Sequence, residues 1–211
     1  MIDTNGSVIF KGQGEITKRG LFTGSISKIT YRSLAKSFSE INFDALKSTY
    51  TTLLSDQQTV TTTFVKDGKI QKTIYDYGRI APLAFKRAYA SLESLYKHIP
   101  LKKISNPQLI PEFDGIVDSH LTKDGMTLDL RQSETFLLFD YLRNGKISKD
   151  SFQPRFKLHT YFEKNSLNDI ATDGRYYTFI IKGKPTTIDI GFNFYDVNAK
   201  NWVWRKKTEH D

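Results

Sequence analysis

The 211-residue chain has no cysteine, and this one absence removes disulfides, thiolate catalysis, cysteine-ligated zinc and iron–sulfur clusters together. Long apolar runs are missing as well. No stretch approaches the roughly 18 consecutive apolar residues of a membrane-spanning helix, and Met1-Ile2-Asp3-Thr4-Asn5-Gly6 does not read as a signal peptide. Acidic residues are scarce in the first half: residues 1–104 hold 16 Lys and Arg against 8 Asp and Glu, whereas residues 105–211 hold 15 against 15. The whole formal charge of +8 therefore sits in the N-terminal half. Such a half suits a polyanionic partner or simply a soluble surface. Because the sole basic run is Arg205-Lys206-Lys207, near the C-terminal end, the pattern argues against a nucleic-acid footprint.

Reaction signatures are missing too. The histidines at 98, 120, 159 and 210 have no acidic or histidine neighbour at a metal-ligand spacing. His98 reads as a helix-end residue and His159 as a strand residue satisfied within its sheet. No nucleophile elbow, P-loop or EF-hand loop occurs. Gly12-Gln13-Gly14 is followed by a strand pattern rather than a helix, which removes the dinucleotide reading. The sequence implies no catalytic residue, no metal and no cofactor.

What is abundant is aromatic. Fifteen Phe and eleven Tyr suit strands that bury one face. A strand-turn-strand sequence occurs twice, as Thr63–Lys69 leading to Thr73-Ile74 and as Thr178–Lys184 leading to Thr187-Ile188. The expected fold class is α+β: antiparallel sheets with helices packed on one face, in two halves related by this echo. The expected divisions are an α+β domain over 1–101, a Pro-containing linker over 102–113 and a second α+β domain over 114–211, a divergent repeat of the first.

In the first half, Ser7–Phe10, Ile16 and Leu21–Thr23 read as short strands between glycines. Tyr31, Leu34, Ala35, Phe38 and Ile41 fall at helical spacing, which predicts a helix over 28–41. Thr59–Lys66 and Lys69–Tyr77 flank Asp67-Gly68, the strongest short hairpin signal. Val60, Phe64, Tyr75 and Tyr77 are expected on one face of this hairpin. Pro82 suits the first position of a helix carrying Phe85, Ala88, Leu92, Leu95 and Ile99. In the second half, Met126–Leu130 alternates as a strand, Ser133 is expected to cap a helix closed by Asn144-Gly145, and Phe156–Phe162 reads as a strand. Arg175–Ile181 and Thr186–Phe194 then form the second hairpin, and Trp202 and Trp204 are expected to dock.

The candidate ligand-binding residues are Asp56, Tyr75, Asp76, Tyr77 and Arg79, which gather at one end of the first hairpin. Two carboxylates and an arginine there can ligate a cation or a polar ligand. They can equally be structural, with Asp56 capping a turn and Asp76 pairing with Arg79 to hold the helix entry.

Residues of about 6–101 resemble an uncharacterised bacterial family, the domain of unknown function 6438. The matching pieces are Asn5–Gly12, Gly24-Ser25-Ile26-Ser27 with Tyr31 and Leu34, Asp56-Gln57-Gln58-Thr59, Asp76-Tyr77-Gly78 and Ala81-Pro82. Members usually begin with a Cys-Pro segment, absent from this sequence, so the first strand is expected to be shortened. The resemblance implies an α+β domain and a periplasmic, lipid-anchored or extracellular protein, and it implies no activity. The reading that follows is a non-catalytic binding or protein-interaction module for a protein or small polar ligand. The alternatives are a hydrolytic or metal-assisted enzyme using Asp56, Asp76 and Arg79, and polyanion binding through the basic N-terminal half.

Overall fold

A computed structural model describes residues 1–12, 20–104, 116–162, 166–181 and 183–206. Ile16, most of Gly12-Gln13-Gly14, Pro107, Pro111, Lys182 and His210 lie outside these residues. The fold is α+β, with four α-helices and extensive antiparallel sheet among the described residues. It divides into two compact units, residues Met1–Phe64 with Lys72–Ser105, and residues Val65–Gln71 with Asn106–Asp211.

The first unit opens with β1 (Ser7–Gly12) and β2 (Gly20–Ser25), an antiparallel pair to which β6 (Leu101–Lys103) adds on the β2 side. Helix α1 (Lys28–Ser39) starts where Ser27 Oγ accepts the Thr30 N–H at 3.1 Å as its N-cap. The second sheet has the order β3-β5-β4, built from β3 (Thr49–Tyr50), β4 (Thr59–Lys66) and β5 (Lys69–Tyr77), with β3 parallel to β5. Asp67 at φ +52 and Gly68 at φ +72 form the two-residue turn that the sequence predicts, since both central residues must adopt positive φ. Helix α2 (Leu83–Leu95) follows, with Pro82 one position before its first residue.

The core of this unit joins Leu46, Ile74, Ala81, Phe85 and Tyr89, with Phe38, Phe43, Val60 and Phe64 packed against it. This corrects the expected hairpin face, because Val60 and Phe64 pack with Ile74 rather than with Tyr75 and Tyr77. On β5 the buried side is Ile70, Ile74 and Asp76, so the two tyrosines fall on the other face. Burying two isoleucines outweighs half-burying two tyrosines, and strand periodicity then fixes the rest. Helix α2 is also shorter than its apolar pattern: Ile99 lies beyond its end at Leu95.

The second unit is an eight-stranded antiparallel sheet of order β14-β8-β7-β10-β11-β12-β13-β9. Its strands are β7 (Ile116–Lys123), β8 (Met126–Leu130), β9 (Lys146–Ser148), β10 (Phe156–Phe162), β11 (Ser166–Thr172), β12 (Tyr176–Ile181), β13 (Lys184–Asp189) and β14 (Arg205–Lys206). Helix α3 (Gln132–Asn144) packs along β7, where Ser119 Oγ and Thr135 Oγ1 lie 2.7 Å apart in a buried hydrogen bond. Leu138, Phe139 and Leu142 on α3 are wholly buried, as are Leu158 and Ile188 on the sheet. The cap expected at Ser133 lies instead at Arg131, whose N–H donates to Glu134 Oε2 at 2.8 Å. A glutamate three residues in reaches back to the cap and starts the helix two residues early.

The second hairpin also ends sooner than its alternation suggests, at Asp189 rather than Phe194. Asp189 accepts the Gly191 N–H at 2.7 Å and both forks of Arg175 at 2.8 Å, and Gly191 at φ +84 turns the chain. The Arg175 hydrogen bonds hold the Asp189 carboxyl below the usual carboxylate range. Asn193 Oδ1 then caps α4 (Phe194–Asn198) through the Asp196 N–H at 2.8 Å. Trp202 and Trp204 dock as expected, against Phe194, Tyr195 and Phe156 at centroid distances of 5.5–5.9 Å.

The strand orders of the two units differ. The first hairpin lies in a three-stranded sheet with a parallel neighbour, the second between β11 and β9 in an antiparallel one. What the two hairpins share is a pair of facing threonines, Thr63 with Thr73 at 3.0 Å and Thr178 with Thr187 at 2.9 Å.

Candidate functional site

Asp76 is the penultimate residue of β5 and points into the core with 0% exposure. Burying an ionised carboxylate is costly unless donors surround it. Here Oδ1 accepts the backbone N–H groups of Ile80 at 2.9 Å and Ala81 at 3.1 Å, and Oδ2 accepts the Tyr89 hydroxyl at 3.0 Å. Short polar side chains that bond the backbone a few residues on are turn formers, and this one folds the chain from β5 into α2. Two successive positive-φ residues complete the turn, Gly78 at +85 and Arg79 at +53. Position 78 has no room for a side chain, since a Cβ there would come within 2.5 Å of Thr52 Cγ2.

Tyr89 lies one helical turn beyond Phe85 on α2, and the two rings meet edge to face at 5.3 Å. Arg79 places its guanidinium 5.5 Å from the centroid of the Tyr89 ring and pairs with Glu93 at 2.8 Å, one further turn along the helix. Asp76 and Arg79 are thus brought to the same tyrosine, but the expected Asp76–Arg79 pair is replaced by Arg79–Glu93. Arg79 Nε is buried and has no hydrogen-bond partner among the described residues.

Burial, aided by the hydrogen bond to Asp76 and by its charge, pushes the Tyr89 phenol above its ordinary value. Burial does the same to Tyr177 in the second unit, whose hydroxyl donates to Gly174 O at 3.2 Å. The folded state holds both phenols neutral while the unfolded chain ionises them above about pH 10. Their contribution to stability is therefore complete below that pH and is lost as pH rises. Alkaline denaturation is expected between about pH 10 and 12. Tyr89→Phe should flatten the fall of stability with pH, at a cost of about 1 kcal/mol at neutral pH. Denaturant titrations of the two proteins at pH 7 and pH 11 check this.

The remaining candidates lie around the same turn on its outer side. Tyr77 OH accepts the Gln57 N–H at 3.2 Å, and Gly78 N donates to Gln58 O at 2.9 Å, so the loop 51–58 is clamped beside the turn. Asp56 occupies this loop at φ +56, exposed, while Asp76 is enclosed. Tyr75 is half-buried on the outer face of β5, and its N–H donates to Ser48 O at 2.9 Å. Sequence reasoning missed Tyr89 and Glu93, which belong to the helix pattern. It also missed Lys72, whose ammonium donates to Phe43 O and Leu46 O and closes the turn before β3. The spacing 85, 89, 93 on one helix face was the signal available.

Asp76 uses three of about four acceptor positions and has no solvent contact. Its chemistry is to fix a turn. Among the polar residues that the turn and the clamped loop present outward stand four exposed apolar side chains: Leu53 at 106% exposure, Leu54 at 66%, Leu83 at 57% and Ile80 at 49%.

The comparison with protein families bears on this unit. Residues 1–96 match the model of a domain of unknown function (DUF6438). The match takes in the whole Asp76–Arg79–Tyr89–Glu93 cluster and the loop 51–58. No curated protein and no solved structure matches the chain. Among the described residues no helix is long and apolar enough to cross a membrane, and no three His, Cys, Asp or Glu residues are grouped to hold a metal ion.

Proposed function

We propose that the DUF6438 unit is a non-catalytic protein-interaction module that binds its partner at the loop 51–58 end. One observation carries this reading: four of the ten large hydrophobic side chains exposed among the described residues, Leu53, Leu54, Ile80 and Leu83, belong to one clamped loop and the adjoining helix entry. Single exposed apolar residues are ordinary, whereas a group of them rimmed by polar residues marks an interface. Asp56 and Arg79 form that rim, and arginine is among the residues most often found at the energetic centre of interfaces. The loop also leads directly into β4, the outer strand of its sheet, where a partner segment can continue the contact.

In this reading the five candidate residues divide the work. Asp76 and Tyr77 hold the turn and loop rigid, while Asp56, Tyr75 and Arg79 face the partner. The envelope location belongs to the same proposal, supported by the family resemblance, and is checked by fractionating the native host. The reading is tested with the double variant Leu53→Asp/Leu54→Asp. Both side chains are exposed, so the variant should match the parent in unfolding free energy within about 0.5 kcal/mol while its recovery with the native partner falls at least tenfold. Unchanged partner recovery would overturn the reading.

A further inference from the structure

The sheet of the second unit brings together two histidines 39 positions apart in sequence. His120 on β7 and His159 on β10 are directly opposite in the antiparallel register, and their rings stack 4.9 Å apart at an interplanar angle of 19°. Both are half-buried, on the side of the sheet away from Leu121 and Leu158, which alternate with them into the core. Asp129 on β8 is opposite His120 and continues the row, its carboxylate held by Arg205 Nε at 2.9 Å and Nη2 at 3.3 Å.

We infer that His120 and His159 form a two-imidazole seat for a divalent first-row transition ion, of the class Ni²⁺, Cu²⁺ and Zn²⁺. Directly opposed strand residues have Cβ atoms roughly 5 Å apart. Two imidazole nitrogens on one ion, each about 2.0–2.1 Å from it, must themselves approach to about 3.3 Å. Rotation about the soft terminal torsion of each ring brings the nitrogens from the stacked arrangement to that separation. Imidazole selects these borderline ions over Ca²⁺ and Mg²⁺, which demand oxygen cages.

Two neighbours complete the seat. Thr122 Oγ1 lies 3.1 Å from His159 Nε2, a hydrogen-bonding neighbour of the kind that metal-ligating imidazoles keep. Thr127, opposite Thr122 on β8, is 2% exposed, and its hydroxyl is buried without a hydrogen-bond partner among the described residues. Asp129 contributes negative charge along the row while its oxygens stay with Arg205. With two protein ligands and water in the other positions, the seat binds in the micromolar range rather than as a structural zinc site.

The test is a calorimetric titration of untagged protein with Ni²⁺ and with Zn²⁺, comparing the parent with His120→Gln, His159→Gln and His98→Gln. Glutamine keeps a polar side chain at each strand position, and the thermal midpoint without metal shows that each variant is folded. The expected result is one ion per chain, with affinity falling at least tenfold in the variants at 120 and 159 and unchanged in the variant at 98. No binding by the parent up to millimolar metal would overturn the inference, as would an isotherm that neither the 120 nor the 159 variant alters.

Discussion

Asp76→Ala should destabilise the first unit by about 4 kcal/mol, more than any surface substitution in it. The reason is accounting for donors. The alanine leaves the Ile80 and Ala81 N–H groups and the Tyr89 hydroxyl without acceptors in a site that is 0% exposed. Each buried donor left unsatisfied costs about 1–3 kcal/mol. Asp76→Asn keeps an oxygen for the two backbone donors and turns an amide toward Tyr89, whose hydroxyl can accept, so its cost should be only about 1–2 kcal/mol. A double-mutant cycle between Asp76→Asn and Tyr89→Phe should show coupling of about 0.5–3 kcal/mol, because the two groups share one hydrogen bond. Urea denaturation followed by circular dichroism reads the parent and all four variants. If Asp76→Ala were as stable as the parent, the carboxylate would not be what folds the turn.

The second large effect is expected at Asn198, in the second unit. This side chain is wholly buried at the end of α4; its Oδ1 accepts the Ile70 N–H at 2.7 Å and its Nδ2 donates to Phe194 O at 2.7 Å. Ile70 is at the tip of the first hairpin, within the segment Val65–Gln71 that belongs to the second unit. Asn201 Nδ2 donates to Ile70 O, so two asparagines satisfy both backbone groups of one residue, as a neighbouring strand would. Asn198→Ala orphans the buried Ile70 N–H and takes a second donor from Phe194 O, which keeps its helical partner, and should cost about 1–3 kcal/mol. The half-exposed geometry of Asn201 makes Asn201→Ala milder, at about 1 kcal/mol. Amide hydrogen exchange supplies the specific readout: the Ile70 N–H should lose protection in Asn198→Ala, while amides of the α3 core keep theirs. Retained protection at Ile70 would mean that another acceptor holds it.

Local structure was legible where one residue type settles a conformation. Asp67-Gly68 gave its turn, the spacing of Tyr31, Leu34, Ala35 and Phe38 gave α1, and the spacing of Phe85, Ala88, Leu92 and Leu95 gave α2. Errors arose where a side chain overrode a pattern. The alternation Ile188, Ile190, Phe192, Phe194 reads as one strand, yet Asp189 and Gly191 stop it because a carboxylate and a positive-φ glycine bend the chain. The start of α3 moved for the same kind of reason, through Glu134. Long-range pairings were beyond reach: β7 and β11 carry no strong alternation, and their places depend on neighbours distant in sequence. The repeated hairpin was real as local chemistry and silent about strand order.

The cluster around Asp76 was half legible. Asp76, Tyr77, Gly78 and Arg79 are contiguous, so their gathering at one turn followed from the hairpin. Which carboxylate pairs with Arg79 depended on Glu93, nearly three helical turns past the start of α2, and on a register that placed Asp76 inward. The histidine pair shows the same limit, since residues 120 and 159 become neighbours only through the β7–β10 register.

The account turns on the loop 51–58 being a partner surface, and site-specific photo-crosslinking in the native host tests that most directly. A photoreactive residue is placed at Leu53, Leu54 or Leu83, and as controls at Ile147 and Ile180, which are 61% and 63% exposed in the second unit. The account predicts one discrete crosslinked product shared by the three loop-end positions and absent from both controls. Equal products from all five positions, or none from the loop end, would contradict it.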